Sequence, residues 1–199
     1  MFTRIVSFTG ASDIDGGIEY LKETVAPLLR QQKGFRGTTA SVDRDGKVFS
    51  VLSLWETEAD RDASESAVAK VRTEAEGIVG GTMSVEMFEQ VLFETAGKPK
   101  PGVSLAIRRA TTDPSTLDTT LAYFKREVLP QIKSEPGFLA VRQMVNRTTG
   151  ESMVGTVWAD VASMDAALKF AEARREQAKA QGVTLGEPSR REIVFLDMP

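Results

Sequence analysis

The sequence repeats itself at a shift of 103 residues. Residues 20–76 align without a gap with residues 123–179, and fifteen of these 57 pairs are identical. Ordinary amino-acid usage would give about one identity in sixteen by chance. The repeat pairs Tyr20 with Tyr123 and Trp55 with Trp158, so that both tyrosines and both tryptophans lie at equivalent positions. This period indicates a duplicated domain, because solenoid repeats have periods of about 20–50 residues.

The segment that joins the two copies is polar and rich in proline and glycine. Residues 94–102 read Glu-Thr-Ala-Gly-Lys-Pro-Lys-Pro-Gly. Two prolines this close together interrupt both helices and strands. We therefore predict a first unit over residues 1–95, a linker over residues 96–102 and a second unit over residues 103–199.

The first copy begins with an alternating segment, Phe2–Phe8, which predicts a β-strand. A helix is predicted from about Asp13, because apolar residues then recur at helical spacing. Gly34 is expected to end this helix in a left-handed conformation, which glycine adopts without strain. The pattern therefore predicts a strand followed by a helix that ends at a defined residue.

A hairpin and a second helix follow in the first copy. Asp45-Gly46 separates two segments rich in β-forming residues, Phe35–Val42 and Lys47–Trp55, which is typical of a hairpin. Thr57 is the predicted N-cap of the second helix. The predicted last strand is Ser84–Phe93.

The second copy follows the same plan, with Asp113 and Asp160 at the starts of its helices. Its predicted later strands are Phe138–Val145, Ser152–Trp158 and Glu192–Leu196. This order is ferredoxin-like, with both helices on one face of a four-stranded antiparallel sheet. A second sheet can cover the other face. We therefore predict an α+β fold of two ferredoxin-like βαββαβ units in tandem, packing sheet to sheet.

Composition excludes several kinds of site. The chain has no cysteine and no histidine, so it lacks disulfides, thiolates, the commonest general base and the usual axial haem ligand. A net charge of −3 argues against nucleic-acid and membrane-surface partners, which need clustered positive charge. We expect no metal site and no cofactor. The N-terminal segment has no apolar core of a signal peptide, so the cytoplasm is the expected location.

Two segments resemble a known family. Val51–Asp60 and Gly155–Ser163 are similar to the junction of third strand and second helix in antibiotic biosynthesis monooxygenase-like (ABM-like) domains, where a tryptophan ends the strand. The Gly-Phe pairs at 34–35 and 137–138 resemble the turn after that family's first helix. The resemblance implies a dimeric-type α/β barrel, formed here as a pseudo-dimer within one chain, with a further homodimer also possible.

The resemblance also implies candidate functions. The family includes haem-degrading monooxygenases, cofactor-independent oxygenases of aromatic polyketides and members without a known activity. The haem degraders use an axial histidine, which this chain lacks, so we expect no haem degradation by that route. The leading hypothesis is a cofactor-independent monooxygenase acting on a small aromatic or apolar substrate. A non-catalytic small-ligand-binding barrel and a structural or interaction module remain alternatives.

Three residues are weak candidates for a site, and all lie in the second copy. Arg142 and Asn146 are four residues apart on one predicted strand, so they should face the same side, together with Phe138. An arginine and an amide there could orient a carbonyl or an oxygen-derived anion. Tyr123, on the first helix, could bind a phenolic substrate. The structural alternatives are an ion pair for Arg142, a turn for Asn146 and a solvated hydroxyl for Tyr123.

Overall fold

In the computed structural model, which describes residues 1–172 and 175–198, both copies have the predicted order of strands and helices. The elements of the first copy are β1 (Phe2–Thr9), α1 (Ile14–Tyr20), α2 (Ala26–Arg30), β2 (Phe35–Asp43), β3 (Val48–Trp55), α3 (Glu58–Ala63), α4 (Glu65–Val79) and β4 (Thr82–Thr95). Those of the second copy are β5 (Ser104–Thr111), α5 (Leu117–Tyr123), α6 (Leu129–Ser134), β6 (Phe138–Val145), β7 (Glu151–Trp158), α7 (Val161–Glu172), α8 (Arg175–Ala180), β8 (Thr184–Leu185) and β9 (Ser189–Asp197).

The last strand of each copy is divided between two compact units. The compact units are unit 1, which comprises Met1–Phe88, Lys100–Gly102 and Glu192–Pro199, and unit 2, which comprises Glu89–Pro99 and Val103–Arg191. The strand order is β4-β1-β3-β2-β9 in unit 1 and β9-β5-β7-β6-β4 in unit 2, where β8 also pairs with β5. In each unit the strands pair in antiparallel fashion, and the predicted α+β ferredoxin-like fold class is confirmed.

The units therefore differ from the ranges 1–95 and 103–199, which remain a prediction of where the two repeats begin and end. The units and the predicted ranges differ because β4 is long enough to belong to both units: it has 14 residues, whereas β1 has 8. Its second half pairs with β6, from Glu89 opposite Val145 to Thr95 opposite Ala140. The repeat pattern shows that a strand is present, but not which sheet each half of it joins.

Equivalent tryptophans pack in the same way in the two units. The rings of Phe35 and Trp55 meet edge to face at 5.7 Å and 72°, and those of Phe138 and Trp158 at 5.9 Å and 72°. Each indole Nε1 donates to the hydroxyl two residues earlier, at 3.0 and 2.9 Å. Both tryptophans are buried. The predicted equivalence of the two cores is confirmed at these positions.

The first helix of each copy contains a π-helical turn just before its proline. Leu21–Val25 joins α1 to α2, and Phe124–Val128 joins α5 to α6. Pro27 and Pro130 have no N–H, and each ring would clash with the carbonyl four residues earlier in a regular α-helix. In the wider turn, the N–H of Ala26 donates to the carbonyl of residue 21, five positions back. The π turn thus relieves the strain that the proline creates.

The predicted helix starts at Asp13, Thr57 and Asp160 are confirmed by their hydrogen bonds, whereas Asp113 caps a 3₁₀ turn, Pro114–Thr116, that leads into α5. The side chain of Asp13 accepts from the N–H of residue 16 at 2.8 Å, and Thr57 accepts from that of residue 60 at 3.0 Å. Asp113 and Asp160 accept from residues 115 and 163, both at 2.8 Å. Such caps satisfy N–H groups that have no partner within the helix. Among the described residues, no helix has the length and apolarity needed to cross a membrane.

Two equivalent glycines lie in the turns after the first helices, close to the second helices. The helices end earlier, at Arg30 and Ser134, so the prediction that Gly34 ends its helix is wrong. Gly34 has a φ of 73° and Gly137 a φ of 79°, in the left-handed region. A Cβ added to Gly34 would lie 2.5 Å from the Asp60 carboxylate, and one added to Gly137 would lie 2.3 Å from Ser163 Oγ. Both positions therefore require glycine for backbone conformation and for space.

We expect Gly34→Ala and Gly137→Ala each to lower the free energy of unfolding by about 1–2 kcal/mol or more, because a left-handed alanine is strained. Gly77→Ala is the matched control, since Gly77 lies in α4 with no atom within 4 Å of an added Cβ. It should raise the free energy of unfolding by about 0.5–1 kcal/mol. Chemical denaturation measures all three, and equal effects at Gly34 and Gly77 would contradict the assignment.

Candidate functional site

Unit 2 contains a cavity of about 190 Å³ between its sheet and its helices. Strands β5, β6 and β7 form the floor, and residues of α5 to α8 and of β8 line the remaining sides. An apolar cavity of about 150 Å³ in a protein core is large enough to bind benzene. The cavity of unit 2 therefore has room for one small ring system.

Strand pairing arranges the floor of the cavity in rows across the sheet. Val154 lies opposite Arg108 on one side and opposite Gln143 on the other, and all three line the cavity. On β5, the flanking cavity residues are Ala106 and Ala110. The middle of the floor is thus a valine between two polar residues, with small side chains on either side of Arg108. Ser152, Thr156 and Trp158 of β7 also line the cavity.

The same place in unit 1 is filled by aromatic rings. Phe8 pairs with Phe49 across β1 and β3, and their rings stack with centroids 6.1 Å apart. The equivalent pair across β5 and β7 is Ala110 and Ser152. The cavity of unit 1 is accordingly only about 60 Å³.

An arginine fills further space in unit 1. In the strand register, Arg4 lies opposite Ser53 in unit 1, and Ala106 lies opposite Thr156 in unit 2. Ala106 therefore occupies the position in unit 2 that Arg4 occupies in unit 1. The buried guanidinium of Arg4 donates to the hydroxyl of residue 64 at 2.9 Å and to the carbonyl of residue 61 at 2.7 Å, and it pairs with Glu65 at 3.2 Å. Burial lowers the pKa of Arg4, and Glu65 opposes that shift. Alanine in unit 2 removes this side chain from the cavity.

Gln143, like Arg108, is a polar cavity residue that was not predicted from the sequence. It is 5% exposed and lines the cavity, and its side-chain amide forms no hydrogen bond with the described residues. The amide nitrogen and oxygen are not completely buried, so they open onto the cavity. The amide can both donate to and accept from a molecule in the cavity. Comparison of the copies could have found it, because the equivalent residue is Ala40.

Tyr123 also lines the cavity, as the sequence analysis allowed. It is half-buried, and its hydroxyl forms no hydrogen bond with the described residues. The hydroxyl of the equivalent Tyr20 donates to Glu74 Oε2 at 2.5 Å. Burial, and to a smaller extent the Glu74 carboxylate, raise the pKa of Tyr20 to about 12. The residue equivalent to Glu74 is Gln177, which lines the cavity. Tyr123 therefore remains able to bind a ligand.

Arg108 supplies the positive charge at the β5 side of the cavity. Its side chain is 14% exposed and lies 3.4 Å from a Glu172 carboxylate oxygen. Glu172 also pairs with Arg175, which is the main cause of its lowered pKa. Hydrogen bonds of 3.4 Å are long and weak, so Arg108 retains donors for another acceptor. In the described part of the chain, no cluster of three or more acidic side chains is arranged to hold a metal ion.

Arg142 does not line the cavity. Adjacent residues of a strand face opposite sides, and Gln143 faces the cavity. The guanidinium of Arg142 lies over the ring of Phe93 at 5.2 Å, and burial lowers its pKa to about 10. It forms no ion pair within the described residues, and its Nε is buried without a partner. A bulge after Phe138 places that ring beside Val141 in the core, so the predicted grouping of Phe138 with Arg142 is wrong.

Asn146 closes the hairpin between β6 and β7. Its Oδ1 accepts from the N–H groups of Thr148 at 3.0 Å and Thr149 at 3.2 Å. The equivalent Asp43 accepts from Gly46 N–H at 2.8 Å in the first copy. Asn146 is not among the residues that line the cavity, and its contacts are those of a turn residue.

The sequence is similar to those of known proteins over most of its length. No family model matches the chain. Rv2557 of Mycobacterium tuberculosis, described as uncharacterized, is 29% identical over 185 residues, which is 92% of this chain and 80% of the relative. Rv2558 of the same organism, also described as uncharacterized, is 28% identical over 153 residues, which is 77% of this chain and 64% of the relative.

Solved structures share the fold over nearly the whole chain. A monooxygenase candidate from Fusobacterium nucleatum has a TM-score of 0.72 and 14% identity, with 99% of this chain and 94% of that chain covered. A protein described as anthrone oxidase-like has a TM-score of 0.68 and 15% identity, covering 98% and 92%. A ferredoxin-fold protein of Listeria monocytogenes, related to antibiotic biosynthesis monooxygenases, has a TM-score of 0.54 and 10% identity, covering 98% and 95%. The chain therefore has the fold of ABM-like proteins, and the resemblance is confirmed at the level of fold.

We expect Asn146→Ala to lower the free energy of unfolding by about 1 kcal/mol, because two backbone N–H groups lose their acceptor. Binding of a small aromatic probe such as p-cresol to unit 2 should not change. Asn146→Asp, which introduces the residue of the first copy, should retain the stability. Denaturation and calorimetric titration measure both properties. Lost binding with unchanged stability would show that Asn146 belongs to the site instead.

Proposed function

We propose that unit 2 binds one small aromatic or apolar molecule in the cavity between its sheet and its helices. The observation that carries this proposal is a mostly apolar cavity of about 190 Å³ onto which the side-chain amide of Gln143 opens, with no partner among the described residues. Ligand sites in proteins typically combine a mostly apolar lining with a few polar groups that fix orientation. Unit 2 has this combination.

The apolar lining supplies the affinity for such a molecule. Residues such as Phe124, Val154 and Trp158 surround the space and can bury the faces of a ring. Burial of apolar surface stabilises a complex by about 25 cal/mol per Å². Gln143 and Tyr123 then select molecules with oxygen or nitrogen substituents, because these groups can form hydrogen bonds that an alkane cannot.

The difference between the two units favours a ligand over a purely structural role. Unit 1 fills the equivalent space with Arg4, Phe8 and Phe49, so this fold can be well packed there. Replacing large core side chains by alanine or serine typically costs a few kcal/mol of stability. A structural module gains nothing from that loss, whereas a binding site requires the space.

We expect the double variant Ala110→Phe with Ser152→Phe to abolish binding of p-cresol, because it introduces the aromatic pair that fills unit 1. Calorimetric titration of the full chain measures the dissociation constant, and circular dichroism checks the fold. The reverse pair, Phe8→Ala with Phe49→Ser, is the matched control. It should destabilise the protein by several kcal/mol but retain binding in unit 2. Unchanged affinity in the filled variant would refute the assigned site.

A second candidate function is oxygenation of the bound molecule without a cofactor. The fold shared with a protein described as anthrone oxidase-like favours it, together with the apolar cavity of unit 2. In such a reaction, one atom of O₂ enters the substrate and the other leaves as water with two hydrogens of the substrate. The substrate supplies all the electrons. Gln143 and Tyr123 would hold the substrate oxygens, and the cavity would limit access of water.

We expect hydroquinone under ¹⁸O₂ to yield hydroxybenzoquinone with one added labelled atom, faster with the protein than in buffer alone. Oxygen uptake gives the rate, and mass spectrometry gives the label. The filled double variant at Ala110 and Ser152 should return the rate to that of buffer. Binding of p-cresol without any protein-dependent oxygen uptake would rule out oxygenation of this substrate type and leave ligand binding as the function of unit 2.

A further inference from the structure

We infer that the ligand of unit 2 is a small aromatic acid, with its acidic oxygen at Arg108 and a neutral hydrogen-bonding group at Gln143. This inference rests on the proposed binding function of unit 2. It goes further by assigning the charge of the ligand and the direction in which it lies. Arg108 and Gln143, which flank Val154 on the cavity floor, carry the argument.

Arg108 and Gln143 lie on opposite sides of one floor residue. Arg108 on β5 and Gln143 on β6 are each the cross-strand partner of Val154 on β7. Neighbouring strands are about 4.8 Å apart, so the main chains of Arg108 and Gln143 are separated by roughly 10 Å. A single ring over Val154 can therefore present one substituent to each of them. The geometry suits a ring with polar groups at opposite ends.

The charge at the two ends differs in a way that orients the ligand. Arg108 can offer two parallel N–H groups to a carboxylate, which is stronger than a hydrogen bond between neutral groups. Its present contacts to Glu172 are 3.4 and 3.5 Å long and reach the same oxygen. Glu135 also lines the cavity, just after α6 and before β6. An acidic group therefore fits the β5 side, and a hydroxyl that can donate fits the β6 side.

The first copy shows that these two polar residues are not needed for the fold. Strand register places Val6 where unit 2 has Arg108, and Ala40 where it has Gln143. Both residues of unit 1 lie on a sheet face covered by packed side chains. A charge and an amide on such a face are costly unless they have partners. They occur together in the unit that has the larger cavity, as expected of residues that recognise a ligand.

The test compares an acidic and a neutral probe by calorimetric titration of the full chain. We expect 4-hydroxybenzoate to bind more tightly than p-cresol. Arg108→Val, which introduces the residue of the first copy, should weaken 4-hydroxybenzoate binding by about tenfold to a hundredfold. Binding of p-cresol should change by less than about threefold, because it has no charge for Arg108 to pair with. Arg108→Gln provides a second, polar replacement in case the valine variant does not fold.

Two further variants separate recognition from general effects. Gln143→Ala should weaken binding of both probes by about twofold to tenfold, because both carry the phenolic hydroxyl. Arg109→Val is the matched control for charge. Arg109 is exposed and is not among the residues that line the cavity, so the same loss of charge should leave both affinities unchanged.

The outcomes distinguish the inference from the function on which it rests. If p-cresol binds but 4-hydroxybenzoate binds no more tightly, or is unaffected by either Arg108 variant, the assignment of an acidic ligand is overturned and the binding function stands. An equal effect of Arg109→Val would also overturn it, because the charge would then act from a distance. If neither probe binds the wild-type chain, both the inference and the proposed binding function fail.

Discussion

Pairing of the last strand of each copy outside its own repeat is the constraint on which the fold depends. In unit 1, β9 pairs with β2, from Thr38 opposite Asp197 to Val42 opposite Glu192. In unit 2, the second half of β4 pairs with β6. Without these strands, β2 and β6 would be sheet edges with unpaired backbone groups, which promote association with other chains. Each repeat therefore needs the other to complete its sheet, which explains why a tandem chain is a stable solution.

Local sequence signals predicted much of the fold, and the errors have physical causes. The caps at Asp13 and Thr57 and the left-handed conformation of Gly34 depend on residues within a few positions, so they were read correctly. The exchange of β4 between sheets depends on distant pairing, which no local pattern reports. Strand alternation predicted that Phe138 and Arg142 face the same side, but a bulge beside Phe138 breaks the two-residue alternation, so the two residues face opposite sides.

The candidate site was harder to predict because it lies where the copies differ. The repeat was found from identical residues, which are mainly packing residues shared by both units. The cavity arises where small residues replace large ones, for example where Ala110 occupies the position of Phe8. These two residues are 102 positions apart, because β1 and β5 correspond at a shift of 102 residues and the rest of the repeat at 103. A single shift along the whole sequence hides that comparison. Gln143 aligns with Ala40 at the shift of 103 residues, so comparison of the two copies could have identified it. Tyr123, which also lines the cavity, was chosen from its residue type alone.

The division between a filled unit and an open one has a consequence for symmetry. In a dimer of identical chains, the two-fold axis places every substitution in both subunits. A fused chain has no such restriction, so Arg4, Phe8 and Phe49 can stabilise one half while Ala106, Ala110 and Ser152 open the other. The loss of packing that accompanies the larger cavity then occurs once in each molecule. Fusion thereby allows one half to be closely packed while the other keeps a larger cavity.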